Sequence, residues 1–329
     1  MMEDMIREFP QQVEEALSLT NTVEILPHQH PTRNVLICGM GGSGIGGAFV
    51  RSFFRFDGHV PIVCNNSYDI PNWVDEHTVV IASSYSGNTE ETVEACQAAQ
   101  LKNAHVIILT SGGKLGAMAE KENLSLVRIP SGSTSPRTRL GYSIVLLTKI
   151  LVELNIVNEA IFETFRAGMQ LIKYDQDSIM DQARSIARAL FNKTTVIYSP
   201  DHLEPCAIRL RQQINENSKA LCWHHVVPEM NHNELVGWKE PRKDTSIILF
   251  RSRGEHKRVA HRMDFLKNNI EGFTSDLIEI YAKGNSIIER SLYLIHLSDW
   301  VSLFLARRRG VDPVEIRILD QLKRELGNL

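Results

Sequence analysis

Short, continuously apolar runs recur along the chain, each followed by a glycine-rich or polar turn and then by a stretch with helical spacing. The runs 34–38 (NVLIC), 60–64 (VPIVC), 78–82 (TVVIA) and 105–109 (HVIIL) predict strands, and 124–129 predicts a further one. Helices are expected between them over 43–56, 88–102 and 114–122, and a long apolar helix over 140–154 closes the series. Continuous rather than alternating apolar strands are covered on both faces, so this alternation predicts a doubly wound parallel sheet flanked by helices. An acidic amphipathic helix over 3–20 leads into it, and Pro27 and Pro31 mark a loop before the first strand.

The scheme repeats downstream. After helical sequence over 158–191, strands are expected at 194–198, 220–223, 245–250 and 277–281, with helices over 204–219, 255–269, 284–309 and 312–326. The pattern therefore divides into two α/β domains, residues 1–155 and 156–329. Their likeness suggests a duplication, although only the first half carries loops rich in glycine and serine.

Composition narrows the function classes. A chain of 329 residues that is 43% hydrophobic has room for two cores. A net charge of -3 without a long basic run argues against a nucleic-acid partner and for a small substrate. The five cysteines lack paired spacing, which fits buried thiols in a reducing compartment and predicts a cytoplasmic location. Residues 1–9 are too acidic for a signal peptide, and no run approaches the roughly 18 apolar residues of a membrane span, so no membrane association is expected.

Two loops carry the candidate chemistry, each placed where a strand gives way to a helix: residues 39–44 (GMGGSG) and 83–90 (SSYSGNTE). Glycines admit close backbone approach, helix N-termini aim N–H groups outward, and hydroxyls at Ser43, Ser84, Ser86 and Thr89 add donors, so the pair describes a phosphate pocket that includes Gly41 and Gly42. The first loop fits the G-x-G-x-x-G dinucleotide fingerprint, but the acidic residue expected after the next strand is replaced by Asn65-Asn66. Together with the second hydroxyl-rich loop, this favours a phosphate monoester over a nicotinamide cofactor. A triphosphate-binding G-x-x-x-x-G-K-[ST] motif is missing from the sequence as well.

The segment SSYSGNTE resembles the signature of the sugar isomerase (SIS) domain, a phosphosugar-binding module. Ser135-Pro136-Arg137, the stretch 213–219 (QINENSK), the stretch 228–234 (PEMNHNE) and Leu322-Lys323 resemble the bifunctional phosphoglucose/phosphomannose isomerase family, over nearly the whole chain. That resemblance implies two SIS-type domains, interconversion of glucose 6-phosphate and mannose 6-phosphate with fructose 6-phosphate, no cofactor, and a homodimer.

Aldose–ketose isomerisation needs ring opening, proton transfer between C1 and C2, and stabilisation of an enediolate. The resemblance implies Glu216 as the base, on one helix face with Arg209 and Gln213, while Glu229 and Glu234 are its nearest competitors. It implies His232 as the ring-opening histidine, reaching the neighbouring subunit's site, and Lys323 as its helper, with His224 and His225 expected to be structural. Arg137 is expected to stabilise the enediolate, with Arg139 close enough to compete for the role. The pairs His28/His30 and His224/His225 form no compact ligand set, so no metal is expected. Arg307-Arg308-Arg309 reads as a helix C-terminal charge cluster. A phosphosugar-sensing regulator, an isomerase of another phosphosugar and a glutamine-dependent aminosugar synthase stand as alternatives; the last would need a cysteine nucleophile near the N-terminus, and none precedes Cys38.

Overall fold

The computed structural model describes residues 2–56 and 58–327. The chain begins with two helices, α1 (Met2–Arg7) and α2 (Phe9–Leu19), where the sequence pattern predicts one. Pro10 explains the break: it has no N–H to continue the ladder, and its ring clashes with the carbonyl four residues back, but it is well placed in the first turn of a new helix.

The chain divides into two compact units, Arg7–Lys173 with Ser286–Glu289, and Met1–Ile6 with Tyr174–Asn285 and Arg290–Leu329. In the former, β1 (Asn34–Cys38), α3 (Gly41–Phe53), β2 (Ile62–Asn65), β3 (Thr78–Ser84), α4 (Glu90–Leu101), β4 (His105–Thr110), α5 (Gly113–Glu122) and β5 (Ser125–Arg128) alternate as the apolar pattern requires. Helix α6 (Leu140–Glu153) follows, buried along most of its length. The strands form a parallel sheet in the order β2-β1-β3-β4-β5, so the order reverses between β1 and β3. Leu36, Cys38, Val80, Ala82 and Ile108 pack with Ala95, Cys96 and Leu115 from α4 and α5 on one face. Ile37 points to the other face, against Gly47 of α3.

Helix α7 (Ile161–Ala189) leads into the second unit, where β6 (Thr194–Pro200), α8 (Glu204–Ser218), β7 (Cys222–Val227), β8 (Arg242–Ser252), α9 (Lys257–Ile270), β9 (Thr274–Ala282), α10 (Ile287–Arg309) and α11 (Arg317–Leu326) succeed one another. Its sheet is again parallel, in the order β7-β6-β8-β9. Strand β7 starts and ends later than the apolar run 220–223 suggests, because it continues through His224 and His225, residues that carry no strand signal. Helix α11 starts at Arg317 rather than 312, beyond Pro313, and buries none of its residues; Ile318, Leu319 and Leu322 are exposed.

Among the described residues, no helix is long and apolar enough to cross a membrane, and no group of His, Cys, Asp and Glu is arranged to hold a metal ion. All five cysteines are free, and burial pushes the thiols of Cys38, Cys96, Cys206 and Cys222 up to about 12.

Candidate functional site

Both glycine-rich loops lie at the carboxyl ends of β1 and β3, where the strand order reverses and α/β sheets hold their ligands. Gly41 opens α3 with a φ of +50°, and Gly39 is pinned beside β3, where an added Cβ would lie 2.8 Å from the Ser83 carbonyl oxygen. The loops are tied to each other, because Ser43 Oγ accepts from the Tyr85 N–H at 3.3 Å. In the second loop the Ser84 and Thr89 hydroxyls hydrogen-bond at 2.8 Å, the Gly87 N–H donates to Ser84 Oγ, and the Asn88 N–H donates to Ser86 Oγ. Thr89 stands at the N-cap of α4.

The asparagines that replace the dinucleotide acid have a structural task. Asn66 donates to the Gly39 carbonyl at 2.5 Å, and Asn65 donates to the carbonyls of Ser67 and Asp69. Asn66 ties the end of β2 to the first loop, and Asn65 braces the segment that follows β2.

Arg137 joins this constellation. It lies buried in a single 3-10 turn, Pro136–Arg139, and a Cβ on Gly42 would meet its Cα at 3.3 Å. Arg139 instead faces Glu8, with Nη1 3.7 Å from Oε2. One unit thus gathers Gly41, Gly42, Ser43, Ser84, Ser86, Thr89 and Arg137.

Glu216, His232 and Lys323 belong to the other unit. Glu216 is half-buried in the last turn of α8. The residues that share its face are committed: Arg209, 1% exposed, donates through Nε and Nη2 to both oxygens of Asp299 on α10, and Gln213 donates to the same carboxylate at 2.8 Å. Asn217 and Ser218 bond to Ser302 one turn further on. These contacts fix the azimuth of α8 and therefore of Glu216.

Helix α8 leaves the carboxyl end of β6 and runs back packed on β6 and β7, so Glu216 sits near the amino end of β7. His232 lies beyond the carboxyl end of β7, exposed at the end of a 3-10 turn, Glu229–His232. The strand between them is six residues, ~17 Å of extended chain. Lys323 is exposed on α11.

A model described as the bacterial phospho-glucose isomerase C-terminal SIS domain matches residues 179–326. The bifunctional phosphoglucose/phosphomannose isomerase of Caldicellulosiruptor bescii is 37% identical over 338 aligned residues, which cover 100% of this chain and 99% of its own. The chain belongs to the bifunctional phosphoglucose/phosphomannose isomerase family. The protein of the same description from Aquifex aeolicus is 35% identical over 90% of this chain and 91% of its own. Among solved structures, the C-terminal domain of glucosamine-fructose-6-phosphate aminotransferase from Francisella tularensis superimposes with a TM-score of 0.77 over 95% of this chain and 97% of its own, at 16% identity, a likeness of fold.

Within this isomerase-family fold, two groups of residues escape the sequence reading. The first is a third glycine loop, Ser111-Gly112-Gly113, after β4. Gly87 has a φ of +67°, and a Cβ there would lie 1.7 Å from the Gly112 carbonyl oxygen; Asn88 Oδ1 accepts from the Lys114 N–H, and the Leu115 N–H donates to the Gly87 carbonyl. The second loop is therefore held from beneath by the third. A strand followed by Ser-Gly-Gly was the available signal.

The second group is polar and surrounds the 229–237 loop. His225 Nδ1 lies 2.7 Å from Glu234 Oε2, Tyr198 donates its hydroxyl to Glu234 Oε1 at 2.5 Å, and the Trp238 indole N–H donates to the Tyr198 oxygen at 2.8 Å. Glu234, a competitor for the base in the sequence, has both carboxylate oxygens engaged. Glu229 is exposed and accepts from the Asn233 amide. Nothing in sequence spacing announces this network, because Tyr198, His225 and Glu234 come from three different elements.

Proposed function

We propose that this chain is an aldose–ketose isomerase interconverting glucose 6-phosphate and mannose 6-phosphate with fructose 6-phosphate through a cis-enediol. The observation that carries this reading is the pair of hydroxyl-rich loops joined at Ser43 and Tyr85 at the sheet's switch point, in a member of this family. Gly41, Gly42, Ser43, Ser84, Ser86 and Thr89 hold the phosphate through backbone N–H groups and hydroxyls. Arg137, rigid and permanently charged, stabilises the enediolate.

Glu216 removes the C2 proton of the open-chain aldose and returns it to C1, while a proton passes from O2 to O1; the reverse path regenerates either aldose. Glucose and mannose 6-phosphates differ only at C2, which is planar in the shared enediol, so one base serves both. His232 and Lys323 open the ring by moving protons at the ring oxygen and O1. The placement of Glu216 and His232 at opposite ends of β7 supports a homodimer in which His232 serves the partner's site. In the same reading the chain comprises two SIS-type domains, 1–155 with the phosphate loops and 156–329 with the base and C-terminal helix, each doubly wound; the reversal of strand order at β1/β3 and β6/β8 supports this. The enzyme works without a cofactor, in the cytoplasm.

A coupled assay of the purified protein with each hexose 6-phosphate tests this. Turnover of both to fructose 6-phosphate, unchanged by a chelator, is expected; no turnover of either overturns the reading, and loss with chelator overturns the metal-free chemistry.

A further inference from the structure

The loop that carries His232 is built from two single 3-10 turns, Glu229–His232 and Glu234–Gly237, and two side chains anchor it, one on each side of the histidine. Met230, two residues before, is fully buried in a cluster with Val196, Val227 and Leu249. Glu234, two residues after, is held by Tyr198 and His225, residues that are paired across β6 and β7 in register. Tyr198 is itself fully buried and receives the Trp238 N–H, so the chain is fastened again where it leaves the loop. Burial, reinforced by Glu234, raises the Tyr198 phenol above its usual range, which keeps it a proton donor to the carboxylate at any working pH. A second apolar anchor would fix the loop against the core at lower desolvation cost; a carboxylate gripped by two directional donors fixes its rotation as well.

We propose that Glu234, held by Tyr198 and His225, is a positioning residue that sets the orientation of His232 for proton transfer, and is itself neither base nor acid. This rests on His232 acting as the ring-opening group.

The direct test is a double-mutant cycle on the full-length protein with Glu234→Ala and His232→Ala, reading kcat and KM for glucose 6-phosphate together with the rate of α/β anomer exchange by NMR. Glu234→Ala is expected to lower kcat and anomer exchange about 10- to 100-fold with KM within about threefold of wild type, and to have no further effect once His232 is gone. Glu234→Gln, which keeps an acceptor for Tyr198, is expected to restore most of the activity. Tyr198→Phe, which keeps the ring, guards against a folding failure and is expected to reproduce the Glu234→Ala loss in anomer exchange. A large loss in His232→Ala with a full additional loss in the double variant overturns the positioning role alone. A silent His232→Ala removes the reading of His232 and the proposal with it. Loss in Glu234→Ala that Glu234→Gln fails to relieve also overturns the proposal, since it marks the charge itself as essential.

Discussion

Glu216 and His232 stand at opposite ends of β7. Helix α8 delivers Glu216 to the amino end of that strand, and the chain reaches His232 only after passing its carboxyl end. The two residues are sixteen positions apart in sequence, yet the intervening strand forces them apart in space, because an extended segment of this length cannot fold back on itself. In the function proposed above, which uses both, the site is read as completed by a second copy of the chain.

Glu216→Gln keeps the shape of the side chain and removes its basicity. We expect kcat on both hexose 6-phosphates to fall by about 10³-fold or more, with sugar-phosphate binding retained. Incorporation of solvent deuterium at C2, followed by NMR, checks the step directly, and substantial residual exchange would remove Glu216 as the base.

Gly87→Ala addresses the proposed phosphate loop. The added methyl meets the Gly112 carbonyl oxygen at 1.7 Å and a φ of +67° is strained for alanine, so the second and third loops must separate. The expected result is a rise in KM of about 10-fold or more and weakened protection by inorganic phosphate in thermal melts, the interaction being worth RT ln(1 + [L]/Kd). Gly237→Ala, where nothing lies within 4 Å, is the control and is expected to leave phosphate protection unchanged.

A histidine cluster sits at the amino ends of β3 and β4, the end away from the glycine-rich loops. His28 stacks on His105 at 4.6 Å between ring centroids, and His30 meets His77 at 5.3 Å. Burial, and then the neighbouring His28, lowers His105 to about 4, so it is neutral in the fold while the unfolded chain takes up a proton near pH 6.5. The stabilisation is therefore complete above that pH and is lost as pH falls from about 6.5 towards 4. Once partial exposure is allowed for, the loss is on the order of 1 kcal/mol. Urea unfolding at pH 7.5 and pH 5 reads it, and His105→Gln should reduce the difference.

Much of the fold was legible because the parallel strands at 34–38, 78–84 and 105–110 are buried on both faces and write themselves as unbroken apolar runs. Strand β7 was cut short because it lies at the edge of its sheet, where Trp223 is half-exposed and His224 and His225 replace apolar residues. The two glycine-rich loops at the ends of β1 and β3 were legible for a similar reason: a positive φ combined with close backbone approach, as at Gly87, favours glycine, so the geometry leaves a mark in the letters. The buried Arg209–Asp299 pair and the Tyr198–Glu234–His225 network left none. Their partners come from elements far apart in sequence, and a polar residue spends its hydrogen bonds in directions that a one-dimensional pattern does not record.

The shared site predicted by the separation of Glu216 and His232 is tested most directly by mixing two inactive proteins. Glu216→Gln and His232→Ala homodimers, dissociated together and reassociated, should yield hybrids in which one of the two sites carries both intact residues. Random reassortment then restores about a quarter of wild-type turnover of glucose 6-phosphate. A mixture that stays as inactive as its parents, although hybrids are demonstrated by mass spectrometry, would contradict the account.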